Sequence, residues 1–389
     1  MKKSKTYIPF HKPTIGQKEI KALRKVLESG WLTTGPQTVA FEKEFIQYTQ
    51  SKYSVALNSC TAALGLSLAA AGIKQGDEVV LPSFTFPATA AEIIHLGAVP
   101  VFADIDPEVF NVTSESIQKK ITSRTKAIIP THFGGHPCDL RPLIRLANKN
   151  HLLIIEDAAH ALGSLYEGKP IGSSKTFAAC YSFYATKNIT TAEGGMLTTQ
   201  SKSTEKKVRI LSLHGIKKDA WKRYSDAGNW FYEVVEPGYK SNLSDIQSAL
   251  GRVQLQKLNR MNKERCHIAS LYDKYLSDIE EIQTPQTHPY ATRNGHLYTI
   301  TGKTWTFSQR NKIIQYLKDW NIGASVHFIP THLHPYYRNR FGDLSHELPV
   351  TESVYHRIIS LPIYPELDKE SIKYISEVLK NALAATKKK

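Results

Sequence analysis

The chain has 389 residues, a length that sets a prior of about two domains. Hydrophobic residues make up 41% and charged residues 22%, enough for a large packed core without disulfides. Six of the charges behind the formal +15 are tail lysines: Lys2, Lys3, Lys5 and Lys387 to Lys389. The rest are spread without a block, which favours a solvated surface over nucleic-acid binding and leaves room for cations that meet an anionic small substrate.

In chain order, "MKKSKTYIPFHKP" starts basic but has no apolar stretch, so no secretory signal is expected. Tyr53 to Ile73 runs 21 residues without a charge, long enough to cross a bilayer. Its centre is Asn-Ser-Cys-Thr, costly in lipid, so "YSVAL" reads as a buried strand and "TAALGLSLAAAG" as a buried helix. Further apolar runs of strand length follow: "DEVVLP", "VPVFADI", "KAIIPTHF", "HLLIIEDA", "FAACYSFY" and "GGMLTT". Between most of them lie helical patterns: "ATAAEIIHLG", "SESIQKKI" and "DLRPLIRLANKN". This alternation predicts an α/β domain with a mostly parallel sheet, its ligands at the carboxyl ends of the strands. After Ser241 comes a long helical stretch with Ser244 or Asp245 as cap candidate. "HLYTITGK" then reads as a strand, and "SQRNKIIQYLKDW" and "DKESIKYISEVLKNAL" as helices. The expected division is a large α/β domain over residues 1–250 and a smaller α+β domain over 251–389.

Four polar clusters sit where ligands should collect. "NSCTAAL" places Ser59, Cys60 and Thr61 at a helix start, either an ordinary cap or an anion site. "IIEDAAHA" puts Asp157 after an apolar strand, with His160 three residues on. The carboxylate needs a cationic or N–H partner, which could be a protonated heterocycle or a nearby Arg or Lys. "SFYATKNITTAEGG" holds one lysine, Lys187, after another strand. Lysine is ordinarily a solvated residue, but a desolvated amine becomes a nucleophile for carbonyls. "GYKSNLSDIQ" carries Lys240 and Asn242, phosphate binders or part of a helix-entry turn. Each cluster is weak alone. Together an anion cradle, a carboxylate and an amine match what pyridoxal phosphate needs.

Rival motifs fail. Gly163 to Lys169 matches G-x-x-x-x-G-K, but Pro170 stands where a magnesium-binding Ser or Thr is required. No G-x-G-x-x-G follows a strand. His327, His332 and His334 bunch without a carboxylate or cysteine, so no metal is expected. Cys60, Cys138, Cys180 and Cys266 show no C-x-x-C spacing, which fits a reducing cytoplasm without zinc or disulfides.

The stretches "SGWLTTGP", "GDEVVLPSFTFPATA", "VHFIPTHLHPYYR" and "SLPIYPEL", with the four clusters above, run in order along nearly the whole chain. The sequence resembles the DegT-type nucleotide-sugar aminotransferases, fold type I pyridoxal phosphate enzymes. "IEDAAHA", "KNIT" with "AEGG", and "GYKSNLSDI" look closest to the branch that aminates UDP-4-keto-pentose for 4-amino-arabinose. The resemblance implies that Lys187 bonds the cofactor aldehyde and moves the substrate proton, and that Asp157 keeps the ring nitrogen protonated. It implies that His160 meets the ring hydroxyl, that Phe86 stacks on the ring, and that Cys60, Thr61, Ala62 and Ser182 surround the phosphate. Lys240 and Asn242 would come from the second subunit of a homodimer. Trp31, Thr33, Tyr184, His327 and His332 would face the sugar nucleotide. Many relatives read "GYNxR" where this chain has "GYKSN", and Tyr184 stands where the arabinose branch tends to have histidine. The presence of Lys187 implies transamination, since a dehydratase branch has histidine there. The implied substrates are L-glutamate and a nucleotide-linked 4-keto sugar, either a pentose or a 6-deoxyhexose, with no nucleic-acid or membrane partner. A non-catalytic sugar-nucleotide binder is the alternative from another class.

Overall fold

The computed structural model describes residues 3–217 and 231–387; the tail lysines Lys2, Lys388 and Lys389 lie outside them. Two helices precede the first strand, in a region where the sequence pattern predicted no elements. Helix α1 (Gln17–Ser29) opens with Glu19 Oε2 accepting from Gly16 N–H at 3.0 Å. Helix α2 (Pro36–Thr49) starts on a proline, which has no N–H to leave unpaired there. Its remaining first-turn donors are capped from far away: Asp245 accepts from the N–H groups of Gly35, Gln37 and Thr38 at 2.8–3.0 Å.

Strands β1 (Tyr53–Leu57), β2 (Glu78–Pro82), β3 (Val99–Ala103), β4 (Thr125–Ile128) and β5 (Leu153–Asp157) alternate with helices. These are α3 (Cys60–Ala70), α4 (Ala88–His95), α5 (Ser114–Gln118) and α6 (Leu140–Lys149). Helix α3 is apolar nearly all round because it is buried nearly all round, as the sequence reading required. The rejected phosphate-loop match is a hairpin of β6 (Leu165–Tyr166) and β7 (Lys169–Pro170), turned at Glu167 and Gly168, both with positive φ. Then come β8 (Ala178–Ser182), β9 (Gly195–Thr199) and α7 (Lys202–Leu211).

Among the described residues the central sheet has seven strands in the order β1-β9-β8-β5-β4-β2-β3. All run parallel except β9, which is antiparallel to both neighbours. That reversal allows β8 and β9 to be joined by a loop instead of a helical crossover, and the loop carries Lys187. Register does the rest. Leu57 and Ser182 both pair with Gly195, and Asp157 pairs with Cys180. The ends of β1, β5 and β8 therefore meet at one edge of the sheet.

Helix α8 (Asp245–Leu276) is capped by Ser244, whose Oγ accepts from Gln247 N–H at 3.3 Å; Asp245, the other cap candidate, serves α2 instead. Its first half packs Leu255, Leu258 and Met261 into the core beside the sheet, and its second half sends Ile268, Tyr272 and Leu276 into another core. That core covers a sheet of β10 (Ile282–Gln283), β12 (Tyr298–Gly302) and β13 (Ile358–Leu361); β11 (Ala291–Thr292) pairs with β6. Helices α9 (Phe307–Asp319), α10 (Pro335–Phe341), α11 (Pro349–Arg357) and α12 (Lys369–Lys387) complete the chain. No helix among the described residues is long and apolar enough to cross a membrane.

Candidate active site

A cavity of about 560 Å³ opens where those strand ends meet. Its anionic end is prepared by α3. Ser59 Oγ accepts from Ala62 N–H at 3.0 Å, and Ala63 N–H bonds Ser59 O, which leaves the first-turn N–H groups of Cys60 and Thr61 for a ligand. Ala62, expected among the phosphate holders, has its N–H committed to the cap. A Cβ on Gly195 would lie 2.4 Å from Ser59 C and 2.6 Å from Cys60 N. Glycine is required there for β9 to approach the helix start, and it leaves a concave cradle rimmed by Thr61 and Ser182.

Asp157 is buried at the end of β5. Its Oδ1 accepts from Ala159 N–H and its Oδ2 from Thr89 Oγ1, each at 3.1 Å. Burial pushes its carboxyl up, opposed by the Ala159 N–H, the Lys187 charge and the Thr89 hydroxyl. Two donors do not exhaust a carboxylate, so Asp157 can accept from a further cationic N–H.

Lys187 lies on the β8–β9 loop, and its amine end is surrounded by protein. Burial brings its pKa down from 10.5 to about 8, with Cys60 and Asp157 pulling the other way. An amine at that value carries a usable neutral fraction near neutral pH. The Lys187 charge and burial together keep the neighbouring imidazoles neutral: His160 falls well below 6.5, and His327 falls to about 4. His160 Nδ1 accepts from Gly134 N–H at 3.3 Å, which assigns its proton to Nε2. Phe86, 59% exposed, presents its face beside the cavity and leans on Phe328 at 6.1 Å.

The structure thus brings together Cys60, Thr61, Phe86, Asp157, His160, Ser182, Tyr184, Lys187 and His327 on one cavity wall or another. It does not bring His332 there. That ring is buried with Nδ1 on Ser83 Oγ (2.6 Å) and Nε2 on Glu352 (2.9 Å), so both nitrogens are occupied in holding the fold. Trp31 and Thr33 also lie off this chain's cavity, with Trp31 Nε1 donating to Thr34 O at 3.1 Å. Lys240 and Asn242 run beside the end of β1, where Lys240 Nζ meets Asn242 Oδ1 at 2.5 Å and Asn242 Nδ2 donates to Thr34.

Sequence reasoning missed Phe10, His11, Thr89, His296 and Phe328, all on the cavity wall. Only Thr89, three residues past Phe86, lay in a stretch already under scrutiny. His296 is set by the residue after the lysine: its Nδ1 meets Asn188 Oδ1 at 2.8 Å, while Asn188 Nδ2 donates to Asn262 and Asn294. Among the described residues no cluster of three or more His, Cys, Asp or Glu is placed to hold a metal.

The donor set suits pyridoxal phosphate at each end: a cradle for the phosphate, a carboxylate for the ring nitrogen and an amine for the aldehyde. Fold and site together define a pyridoxal-phosphate-dependent aminotransferase of fold type I, the class shared with solved structures over the full chain. The sequence profile of the DegT/DnrJ/EryC1/StrS aminotransferase family matches residues 13–380, and the chain belongs to that family. It is 44% identical over 383 residues to the spore coat polysaccharide biosynthesis protein SpsC of Bacillus subtilis, covering 98% of each chain. It is 35% identical to Spr1654 of Streptococcus pneumoniae, assigned as a sugar aminotransferase and solved in a PMP form. The TM-score is 0.92, with 97% of this chain and 100% of that one covered; a PLP form of the same protein matches with a TM-score of 0.91. Helicobacter pylori PseC, an aminotransferase involved in the biosynthesis of pseudoaminic acid, matches at 30% identity and a TM-score of 0.90, with 98% and 100% covered.

Proposed function

We propose that this aminotransferase moves the amino group of L-glutamate to the C4 ketone of a nucleotide-linked sugar. The sugar is a UDP-4-keto-pentose or a UDP-4-keto-6-deoxyhexose, and the product feeds a surface polysaccharide, lipid A or other glycan. A dTDP- or GDP-linked 4-keto-6-deoxyhexose is the alternative substrate. The names of SpsC and PseC support a role in polysaccharide and amino-sugar synthesis. The arabinose-type assignment rests on the sequence resemblance. In this reading the enzyme is a homodimer, with Lys240 and Asn242 reaching the partner's site.

One observation carries the chemistry: the desolvated Lys187 amine shares a cavity with the Asp157 carboxylate and the start of α3. When bound, pyridoxal phosphate supplies an electron sink and an aldehyde that can carry an amino group. The chain supplies the rest. Asp157, held by Ala159 N–H and Thr89, keeps negative charge where a ring nitrogen must stay protonated. Lys187 Nζ, with its lowered pKa, accepts and returns a proton near neutral pH. The N–H groups of Cys60 and Thr61 and the Ser182 hydroxyl anchor the phosphate. His160 directs Nε2–H into the cavity, and Phe86 covers a ring face. An intact set of this kind argues against the non-catalytic alternative.

The test is spectroscopic. Purified protein supplemented with pyridoxal phosphate should show a visible band that L-glutamate alone bleaches. A nucleotide-linked 4-keto sugar should then restore the band and appear as an amino sugar by mass spectrometry. A band that glutamate leaves untouched would overturn the donor assignment.

A further inference from the structure

The segment before α1 crosses the second core and ends at the cavity. Ile8 N–H donates to Asn321 O and Ile8 O accepts from Gly323 N–H, both at 2.8 Å. A Cβ on Gly323 would lie 2.6 Å from Phe10 N, so this close approach needs glycine. Phe10 then stacks on His327, with centroids 5.1 Å apart and rings 24° from parallel. These contacts fix the next residue, His11, on the cavity wall.

The two ring nitrogens of His11 differ. One is bonded to the Ala185 carbonyl, and Nε2 is buried with no hydrogen-bond partner among the described residues. The proton therefore sits on Nδ1, and Nε2 offers only a lone pair. Burial first, then the nearby Arg265 charge, and then Lys187 hold the ring neutral, with its pKa brought down to about 3. Arg265 is itself 2% exposed; it donates to the carbonyl of Ile363, which lines the cavity, and has no carboxylate partner among the described residues. An imidazolium beside it would be costly. His11 thus presents a fixed, uncharged acceptor, and a buried acceptor left without a donor is unfavourable. The matching ligand group is an O–H or N–H.

The two substrates differ in what they can offer. At neutral pH the carboxylates of an amino-acid donor carry no O–H, and its only N–H group is the one that reacts. A sugar ring carries hydroxyls. We infer that His11 Nε2 accepts a hydrogen bond from a hydroxyl of the keto sugar, which makes His11 a specificity-determining residue for the second substrate alone. This rests on the amino-sugar reading proposed above.

The experiment compares His11→Phe and His11→Gln with the wild-type holoenzyme. Stopped-flow absorbance follows the L-glutamate half-reaction and, separately, the discharge of the aminated enzyme by UDP-, dTDP- and GDP-linked 4-keto sugars. His11→Phe should raise KM for the keto sugar about 10- to 100-fold, as loss of a hydroxyl-reading contact does, while the glutamate half-reaction stays within about twofold. His11→Gln, whose amide oxygen still accepts, should recover most of the loss. Equal falls in both half-reactions, or a shifted cofactor band, would make His11 a structural or cofactor contact and overturn the inference. An unchanged keto-sugar KM in His11→Phe would overturn it while leaving the parent reading intact. If none of these sugars discharges the wild-type enzyme, the parent reading fails and this inference fails with it.

Discussion

On one side of the cavity stand the ends of β5 and β8 and the start of α3. On the other stand His11, His296, His327 and Phe328, from the arm and the last third of the chain. The first wall holds the working charge: the Asp157 carboxylate, the Lys187 amine and the free N–H groups of a helix terminus. The second is made of neutral imidazoles and an aromatic face, all desolvated. Groups that act on any amino group passing through belong on the rigid sheet, where register sets their spacing. Groups that distinguish one substrate from another can come from segments that differ freely between related chains. The first wall should therefore govern both half-reactions and the second only one.

The sharpest way to break this comparison is Lys187→Ala. Both half-reactions should fall together, by about 10⁴-fold or more, and the visible band of the lysine-bound cofactor should vanish. A variant that still forms amino sugar at the wild-type rate would refute the role given to the first wall. Asp157→Asn comes next. It keeps shape and the Thr89 contact but removes the charge, and should cost about 10²- to 10³-fold in both half-reactions. It also carries a pH signature. The neutral amine is the nucleophile, so capture of pyridoxal phosphate by apoenzyme should accelerate as pH rises through the Lys187 pKa of about 8. Asp157 holds that pKa up, so its removal should move the inflection to lower pH. An inflection that stays in place would remove the coupling between the two groups from the account.

The two walls also differ in how far the sequence disclosed them. The strand-end wall was legible because its signal is local: an apolar run stops and a polar group follows within one or two residues, at Asp157, Lys187 and Ser59. Even there, the antiparallel sense of β9 was not readable, since an apolar run carries no direction. The opposite wall gave no such signal. Nothing around His11 marks it, because its position comes from a strand-like contact with residues 321–323, three hundred residues away. His296 depends on an amide relay through Asn188 that only packing creates. The error over His332 has the same origin. Three histidines bunch in sequence, but one faces the cavity and another is spent on Ser83 and Glu352. Helices α1 and α2 went unread because their partner is the distant α8, whose Asp245 even supplies the cap of α2.

A smaller effect sharpens the role of the cradle. Gly195→Ala places a methyl against Ser59 and Cys60, where backbone must move to admit it. Overpacking of this kind costs about 1–3 kcal/mol. Titration of apoenzyme with pyridoxal phosphate should show affinity weakened about tenfold, which is about 1.4 kcal/mol. The loaded variant should keep both half-reactions within severalfold, since neither Lys187 nor Asp157 is touched. Loss of the half-reactions with affinity intact would mean that Gly195 serves the chemistry and not the phosphate.

The smallest effect is the most discriminating about the cradle's donors. Ser59→Ala removes the Oγ that accepts from Ala62 N–H at 3.0 Å. An N-cap of this type contributes about 1 kcal/mol, so the apoenzyme should lose roughly that much stability in a denaturant titration. The same change frees the Ala62 N–H, which lies one residue beyond the two donors already available at the start of α3. A bound phosphate can take up that third N–H, and helix N-termini favour the negative charge. The holoenzyme should therefore lose less stability than the apoenzyme, and pyridoxal phosphate should bind the variant no more weakly than wild type. Equal losses in the two forms would show that the phosphate does not reach the third N–H, and would confine the cradle to Cys60, Thr61 and the Ser182 hydroxyl.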